Sequence, residues 1–304
     1  MAESSQGGNP HEIDLASQYG PEGGAGGVRG RFLVYPDNVD VEEIARELLA
    51  LTGYETIVDI GTSDGSFPVG LSIVGSHIGR IIGIDPYDNQ FNEFLPSYLV
   101  ENGSESIYPV ENIQLLKGDA TSTPLPDNIA DVVTAMNVLY HVENREGAYN
   151  EAKRLLKPDG RMVISTSGEN NKSTHRLVER RVAKLLRIKP PELMNQGYTT
   201  EIASLELPQI FKRVFRKELY ESKRIKPDDE VRKGLYLMSL MSLHEHYQPQ
   251  VAYDSLLVVT RWVLKDIIES ERGFVDHFHR SVFVVSDSDI EQPKGTEDIS
   301  ALNH

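Results

Sequence analysis

Residues 56–65 read Thr-Ile-Val-Asp-Ile-Gly-Thr-Ser-Asp-Gly, a largely β-branched run that stops at a glycine and meets a second glycine four positions on. Such a short apolar run predicts a buried strand. Glycines at 61 and 65 suit a tight strand-to-helix turn that brings backbone close to a ligand. Working outward, the same buried pattern recurs at Arg80-Ile-Ile-Gly-Ile84, Asn112–Leu116, Ala130–Ala135 and Arg161–Ser165. Helical spacing lies around and between these runs. It covers Val41–Leu51 behind the cap Asp40, Pro68–Ser76, Phe91–Glu101 and Arg145–Leu156, the last closed by Lys157-Pro-Asp-Gly160. Strands that alternate with helices imply right-handed crossovers and a parallel sheet.

The second half departs from that rhythm. Ser173–Ile188 reads as a basic helix, Ile210–Tyr220 as a strand, and Phe274–Ser286 as a final strand. Between the last two lies a helical stretch that includes Leu235–Leu243 and Ser255–Ser270. The fold class expected is α/β, a doubly wound, mostly parallel seven-stranded sheet with an added helical cap. Residues 1–30 are rich in Gly, Ser and acidic groups and bury too little apolar surface to offset their ordering entropy. They predict a flexible segment, with a lid over bound ligand as the sharper option. Residues 31–168 form the ligand-binding core, 169–286 the cap segments with the last two strands, and 287–304 a polar, frayed tail.

Composition narrows the function. The chain has 304 residues, 39% of them hydrophobic, with a net charge of −15, which argues against a general binder of nucleic acid. There is no cysteine, so disulfides, thiolate metal sites and cysteine nucleophiles are excluded. No basic segment followed by an apolar one opens the chain, and no apolar run approaches the roughly 18 residues of a membrane span. A cytoplasmic location is the expectation. The oligomeric state is not legible.

Ligands of such sheets bind beyond the carboxyl ends of the strands, and the polar residues cluster there. Asp59-Ile-Gly61-Thr62-Ser63-Asp-Gly65 follows the first strand, but position 63 is serine where a dinucleotide fingerprint of the G-x-G-x-x-G type requires glycine. Gly83-Ile-Asp85-Pro86 ends the second strand, and an acidic side chain there can accept both hydroxyls of a ribose. Lys117-Gly-Asp119-Ala120 follows the third, and Met136-Asn137-Val-Leu-Tyr-His141-Val142 the fourth. Leu155-Leu-Lys-Pro-Asp-Gly160 precedes the fifth, with aspartate in a turn position that tolerates it.

These five landmarks, in this order, resemble class I S-adenosylmethionine-dependent methyltransferases. The closest likeness is to the small-molecule branch of ubiquinone- and menaquinone-pathway and natural-product enzymes. It covers residues 45–168 closely and the remainder loosely. The resemblance implies a Rossmann-like methyltransferase fold, S-adenosylmethionine as methyl donor, no metal, and a small-molecule acceptor beneath inserted helices. It places Asp59 toward the ammonium end of the cofactor, Asp119 on the adenine amino group and the Ala120 backbone against the ring. Gly61, Thr62, Ser63, Gly65, Asp85, Pro86 and Asn137 complete the expected cofactor-binding set, with Tyr35 over the methionine end. An RNA-modifying methyltransferase and a non-catalytic relative on the same fold are the alternatives.

His141 is the candidate general base. It lies just past the fourth strand, an unperturbed imidazole titrates near neutrality, and related sugar O-methyltransferases use a histidine at this place. The competing reading is a histidine that packs or caps the next helix. Other signals carry less. His244 with His246, and His277 with His279, suggest metal ligation, but no third ligand accompanies them. The basic stretch Lys172–Lys189 reads as a solvated face, an anionic-acceptor contact or an RNA contact. The Leu/Met stripe at 235–243 reads as cap core or pocket lining.

Overall fold

The structure, a computed structural model, describes residues 48–49, 51–63, 65–74, 78–87, 112–167, 174–188, 198–225, 253–270 and 274–301. Tyr35, the N-terminal segment, the expected helix at 91–101, the stripe at 235–243 and the pair His244 and His246 lie outside these residues, as does most of the expected helix at 41–51.

Five parallel strands carry the amino-terminal part: β1 (Thr56–Ile60), β2 (Arg80–Asp85), β3 (Ile113–Lys117), β4 (Ala130–Met136) and β5 (Leu156–Ser167). Three antiparallel strands complete the sheet: β6 (Arg213–Ile225), β7 (Phe274–Ser286) and β8 (Glu297–Asp298). The strand order is β3-β2-β1-β4-β5-β7-β6-β8. The order reverses between β1 and β4, the switch point at which a doubly wound sheet opens a ligand crevice.

The sheet is buried on both faces, which is why its strands read as apolar runs and not as alternation. One face packs Val58, Ile60, Ile82, Val133, Ile164 and Phe283 against helices α2 (Arg145–Leu155) and α4 (Thr200–Ile210). The opposite face packs Ile57, Ile81, Val132, Val163 and Val284 with Leu71 of α1 (Ser66–Val74). Helices α3 (Thr174–Leu186) and α5 (Tyr253–Ser270) lie together, with Val178, Val182, Leu256, Val263 and Ile267 buried and an Arg181–Asp266 ion pair at 3.4 Å.

Three expectations need correction. Lys157-Pro-Asp-Gly160 does not precede β5 as a separate turn; Ala130 pairs with Leu156 and Val132 with Arg161, so the four residues bulge out of a strand that has already begun. Ile210 ends helix α4 and does not start a strand; β6 begins at Arg213. The frayed tail expected from residue 287 is packed as far as residue 301. Ile299 is 1% exposed, its backbone N–H donates to the Val214 carbonyl, and β8 becomes an eighth strand on β6.

Candidate functional site

The five parallel strands end along one edge of the sheet, and the expected site residues follow from it. Asp59 is the penultimate residue of β1 and pairs in register with Gly83 of β2 and Thr134 of β4. Asp85 closes β2 beside Lys117 of β3, and Asp119 follows β3 by two residues. The topology therefore brings all three carboxylates to the carboxyl ends of three adjacent strands, β1, β2 and β3.

The loop after β1 is bound to β2 by its backbone. The N–H groups of Gly61 and Thr62 both donate to the Ile84 carbonyl, at 2.8 and 3.1 Å, and the Gly65 N–H donates to the Thr62 carbonyl at 3.0 Å. Gly61 has φ +74° and Gly65 φ +82°. A Cβ on Gly61 would sit 2.1 Å from a Val138 methyl, so the nucleotide loop and the segment after β4 touch at a point where only glycine fits. Gly83 plays the matching role from beneath, because a Cβ there would meet the Thr62 side chain at 2.8 Å. Ser63 also stands in the left-handed region, at φ +53°. The backbone shape that glycine usually serves is thus kept by serine, at a cost of about 1 kcal/mol, and its N–H donates to Asp85 Oδ2 at 2.9 Å.

Each carboxylate is held differently. Asp59 is buried and accepts a bond from the Thr134 hydroxyl at 2.7 Å. Burial pushes its pKa up to about 7, against the pull of the Thr134 and Thr62 hydroxyls and with some help from the negative Asp85. The Thr62 hydroxyl is close enough to act on Asp59 but makes no hydrogen bond of ordinary geometry, which leaves a buried polar atom at the bend of the loop. Asp85 is fixed through both oxygens by the N–H groups of Ser63 and Tyr87, each at 2.9 Å. Asp119 is exposed and accepts from the N–H and hydroxyl of Thr121. Pro86, after β2, is exposed, and Ala120, after β3, is half-buried.

After β4 the chain turns sharply. Asn137 has φ +54°, and its N–H is directed at both the hydroxyl and the carbonyl of Ser165, at 3.0 and 3.2 Å. A short 3-10 turn, Leu139–His141, follows, with the His141 N–H bonded to the Val138 carbonyl at 2.8 Å. Leu139 is buried in the core, whereas His141 is half-buried and tilted against the Tyr140 ring, with ring centres 4.2 Å apart. His141 therefore lies on the same edge as the carboxylates, three residues past the Val138 that packs on Gly61.

Sequence reading missed Thr134, Ser165 and Val138. Thr134 and Ser165 are polar interruptions of apolar strands, at the centre of β4 and toward the end of β5, and that was the available signal. Among the described residues no group of three or more His, Asp or Glu side chains is placed to hold a metal ion, and no helix is long and apolar enough to cross a membrane.

The family profile described as a methyltransferase domain matches residues 58–164, from the middle of β1 to the middle of β5. Residues 58–164 are thus similar to a methyltransferase domain. The chain is also 31% identical over 123 residues to a demethylmenaquinone methyltransferase of Staphylococcus saprophyticus, covering 40% of this chain and 48% of that relative. The chain spans less than half the length of the curated relatives it matches. Among solved structures, a protein ascribed to an antibiotic biosynthesis pathway methyltransferase of Anabaena variabilis aligns with TM-score 0.53 and 17% identity, over 84% of this chain and 98% of its own. One ascribed to a type II methyltransferase of Anaeromyxobacter dehalogenans aligns with TM-score 0.51 and 18% identity, over 84% and 93%. At such identities these structures establish the shared fold. The similarity as a whole is to class I S-adenosylmethionine-dependent methyltransferases of the small-molecule type.

Proposed function

We propose that this chain is an S-adenosylmethionine-dependent methyltransferase whose acceptor is a small molecule. The observation that carries the reading is the row of Asp119, Asp85 and Asp59 at the ends of β3, β2 and β1, set beside a glycine loop at the switch point. The donor set fits a cationic nucleoside: three carboxylates, a loop shaped by left-handed residues, and a buried Thr62 hydroxyl still lacking a hydrogen bond. It does not fit a pyrophosphate, which favours backbone N–H groups and cations over carboxylates.

In this reading Asp85, already oriented by two N–H donors, takes the ribose hydroxyls. Asp119 and the Ala120 backbone take the adenine edge, and Asp59 faces the ammonium end. Asn137, Thr62, Ser63 and Pro86 are assigned to the same cleft, and Tyr35, outside the described residues, keeps its assignment to the methionine end. S-adenosylmethionine, when bound, supplies a methyl group made electrophilic by its sulfonium. The protein's remaining work is to align the acceptor atom and to keep water out. His141 accepts the proton that a hydroxyl or ammonium acceptor must lose. The likeness to the staphylococcal demethylmenaquinone methyltransferase supports an acceptor of metabolite size.

Calorimetry with S-adenosylhomocysteine tests the cofactor assignment, with micromolar binding expected; no heat at high protein concentration refutes it. Once an acceptor is found by screening, His141→Ala should lower turnover about 100-fold or more while cofactor affinity holds. Unchanged turnover removes the base assignment.

A further inference from the structure

Thr134 was not among the residues expected to matter, yet it is the register partner of Asp59 across the β1–β4 pair. Its hydroxyl donates to Asp59 Oδ1 at 2.7 Å, with Thr134 0% and Asp59 1% exposed. A hydroxyl in the middle of a buried parallel strand loses its water and needs a partner, and here that partner is a carboxylate that has lost its own. The groups that face Asp59 from each side are few. β2 brings Asp85, whose charge opposes ionisation, and the loop after β1 brings the Thr62 hydroxyl, which favours it. β4 brings Thr134 itself, and among the described residues no lysine or arginine pairs with Asp59. Only neutral donors therefore hold the anion until a cation arrives.

We propose that Thr134 is a positioning residue that fixes Asp59 at the tip of β1 and favours its ionised form, so that capture of a ligand bearing a free ammonium group is coupled to release of one proton from Asp59 to solvent. This rests on the cofactor reading above and deepens it. The protonated carboxyl competes with the ligand: its O–H bond breaks, the proton leaves to water, and the electron pair left on oxygen accepts from the ammonium. The burial that raises the pKa of Asp59 to about 7 places this exchange in the physiological range. Removing the Thr134 hydroxyl takes away a bond made chiefly to the charged form.

The test is calorimetric titration of the full chain with S-adenosylhomocysteine from about pH 6 to about pH 8.5, in buffers of different ionisation enthalpy so that released protons are counted. For the wild type, affinity should fall toward tenfold per pH unit below a midpoint near neutrality, with up to about one proton released. Thr134→Val should move that midpoint up by about one pH unit and lower affinity about fivefold at pH 7, with the deficit shrinking at the alkaline end. Thr134→Ser, which keeps the hydroxyl, should restore the wild-type profile. Adenosine, which lacks the ammonium group, should bind without this pH dependence. A wild-type affinity flat across the range overturns the proposal, as does a Thr134→Val loss equal at every pH or an adenosine profile that matches the homocysteine nucleoside. Absence of binding by the wild type at any pH overturns the cofactor reading and this proposal together.

Discussion

Asp59, at the tip of β1, and Glu151, on the second turn of α2, are both buried carboxylates, yet the protein treats them in opposite ways. Burial pushes Glu151 upward too, but bonds from Arg154 and from the hydroxyl and N–H of Thr123 overcome it and hold its pKa at about 2. Arg154 in turn pairs with Asp127, so the cluster closes on itself. The rest of that helix layer follows the same rule. Tyr149 donates to Tyr198, Arg145 grips Glu206 through two nitrogens, and Thr200, Ser281 and Glu218 form a chain of 2.6 Å contacts from α4 across β7 to β6. The buried polar groups of this helix layer find partners for their charge. Among the described residues Asp59 receives one hydroxyl bond and no cation, a deficit suited to a ligand that brings the missing charge.

The strongest way to break this comparison is at the loop. Gly61→Ala places a methyl group against Val138 in a left-handed backbone, which should destabilise the fold by about 3 kcal/mol and abolish measurable binding of S-adenosylhomocysteine. Adding Val138→Ala should recover part of the stability, because it removes the clash and leaves only the backbone strain. If Gly61→Ala binds normally, the contact between the loop and the segment after β4 has been misread.

A second variant sharpens the contrast between the two carboxylates. Asp59 holds its proton in the folded state up to about pH 7, whereas the unfolded chain releases it near pH 4. Its contribution to stability is therefore full below about pH 4 and is lost as the pH rises through that window. Asp59→Asn should abolish the slope. Its denaturation midpoint should match the wild type near pH 4 and exceed it at pH 8 by the equivalent of about 4 kcal/mol. Glu151→Gln should do the reverse and weaken the protein at pH 8, since it discards a charge that Arg154 and Thr123 both satisfy. Chemical denaturation at the two pH values decides both, and an Asp59→Asn protein less stable at pH 8 contradicts the assignment.

The smallest effect belongs to the polar row of α4, β7 and β6. Ser281→Ala leaves Glu218 and Thr200 each short of a partner and should cost about 1–2 kcal/mol, with cofactor affinity unchanged. Loss of affinity in a variant that keeps its stability would mean that this row belongs to the binding site.

What could be read in advance follows from where each signal resides. β1, β2 and β4 were legible to within a residue or so because a strand buried on both faces announces itself by local composition. Helix α4 was missed because Pro208 sits inside it, and its apolar positions mix with Ser204, Glu206 and Gln209. Ile210 was consequently given to the following strand. Asp59, Gly61, Asp85 and Asp119 were legible because each stands at the end of a strand in a recognisable order. Their geometric support was not. Thr134 reaches Asp59 across 75 positions of sequence and Ser165 reaches the Asn137 N–H across 28, pairings that exist only once the register of β1, β4 and β5 is set. The closeness of Gly61 to Val138 is of the same kind: the glycine could be noticed, but not the methyl group that forbids its replacement.

The outermost strand has one more consequence. β8 contributes only Glu297 and Asp298, both exposed, and lies along Phe215 and Arg216 of β6. A bare strand edge is a template to which a stray polypeptide can add. Over this stretch the template is already taken, and whatever approaches its outer side meets two carboxylates. The rim of the sheet is thus guarded against polymerisation by the very residues whose composition alone suggests a loose end.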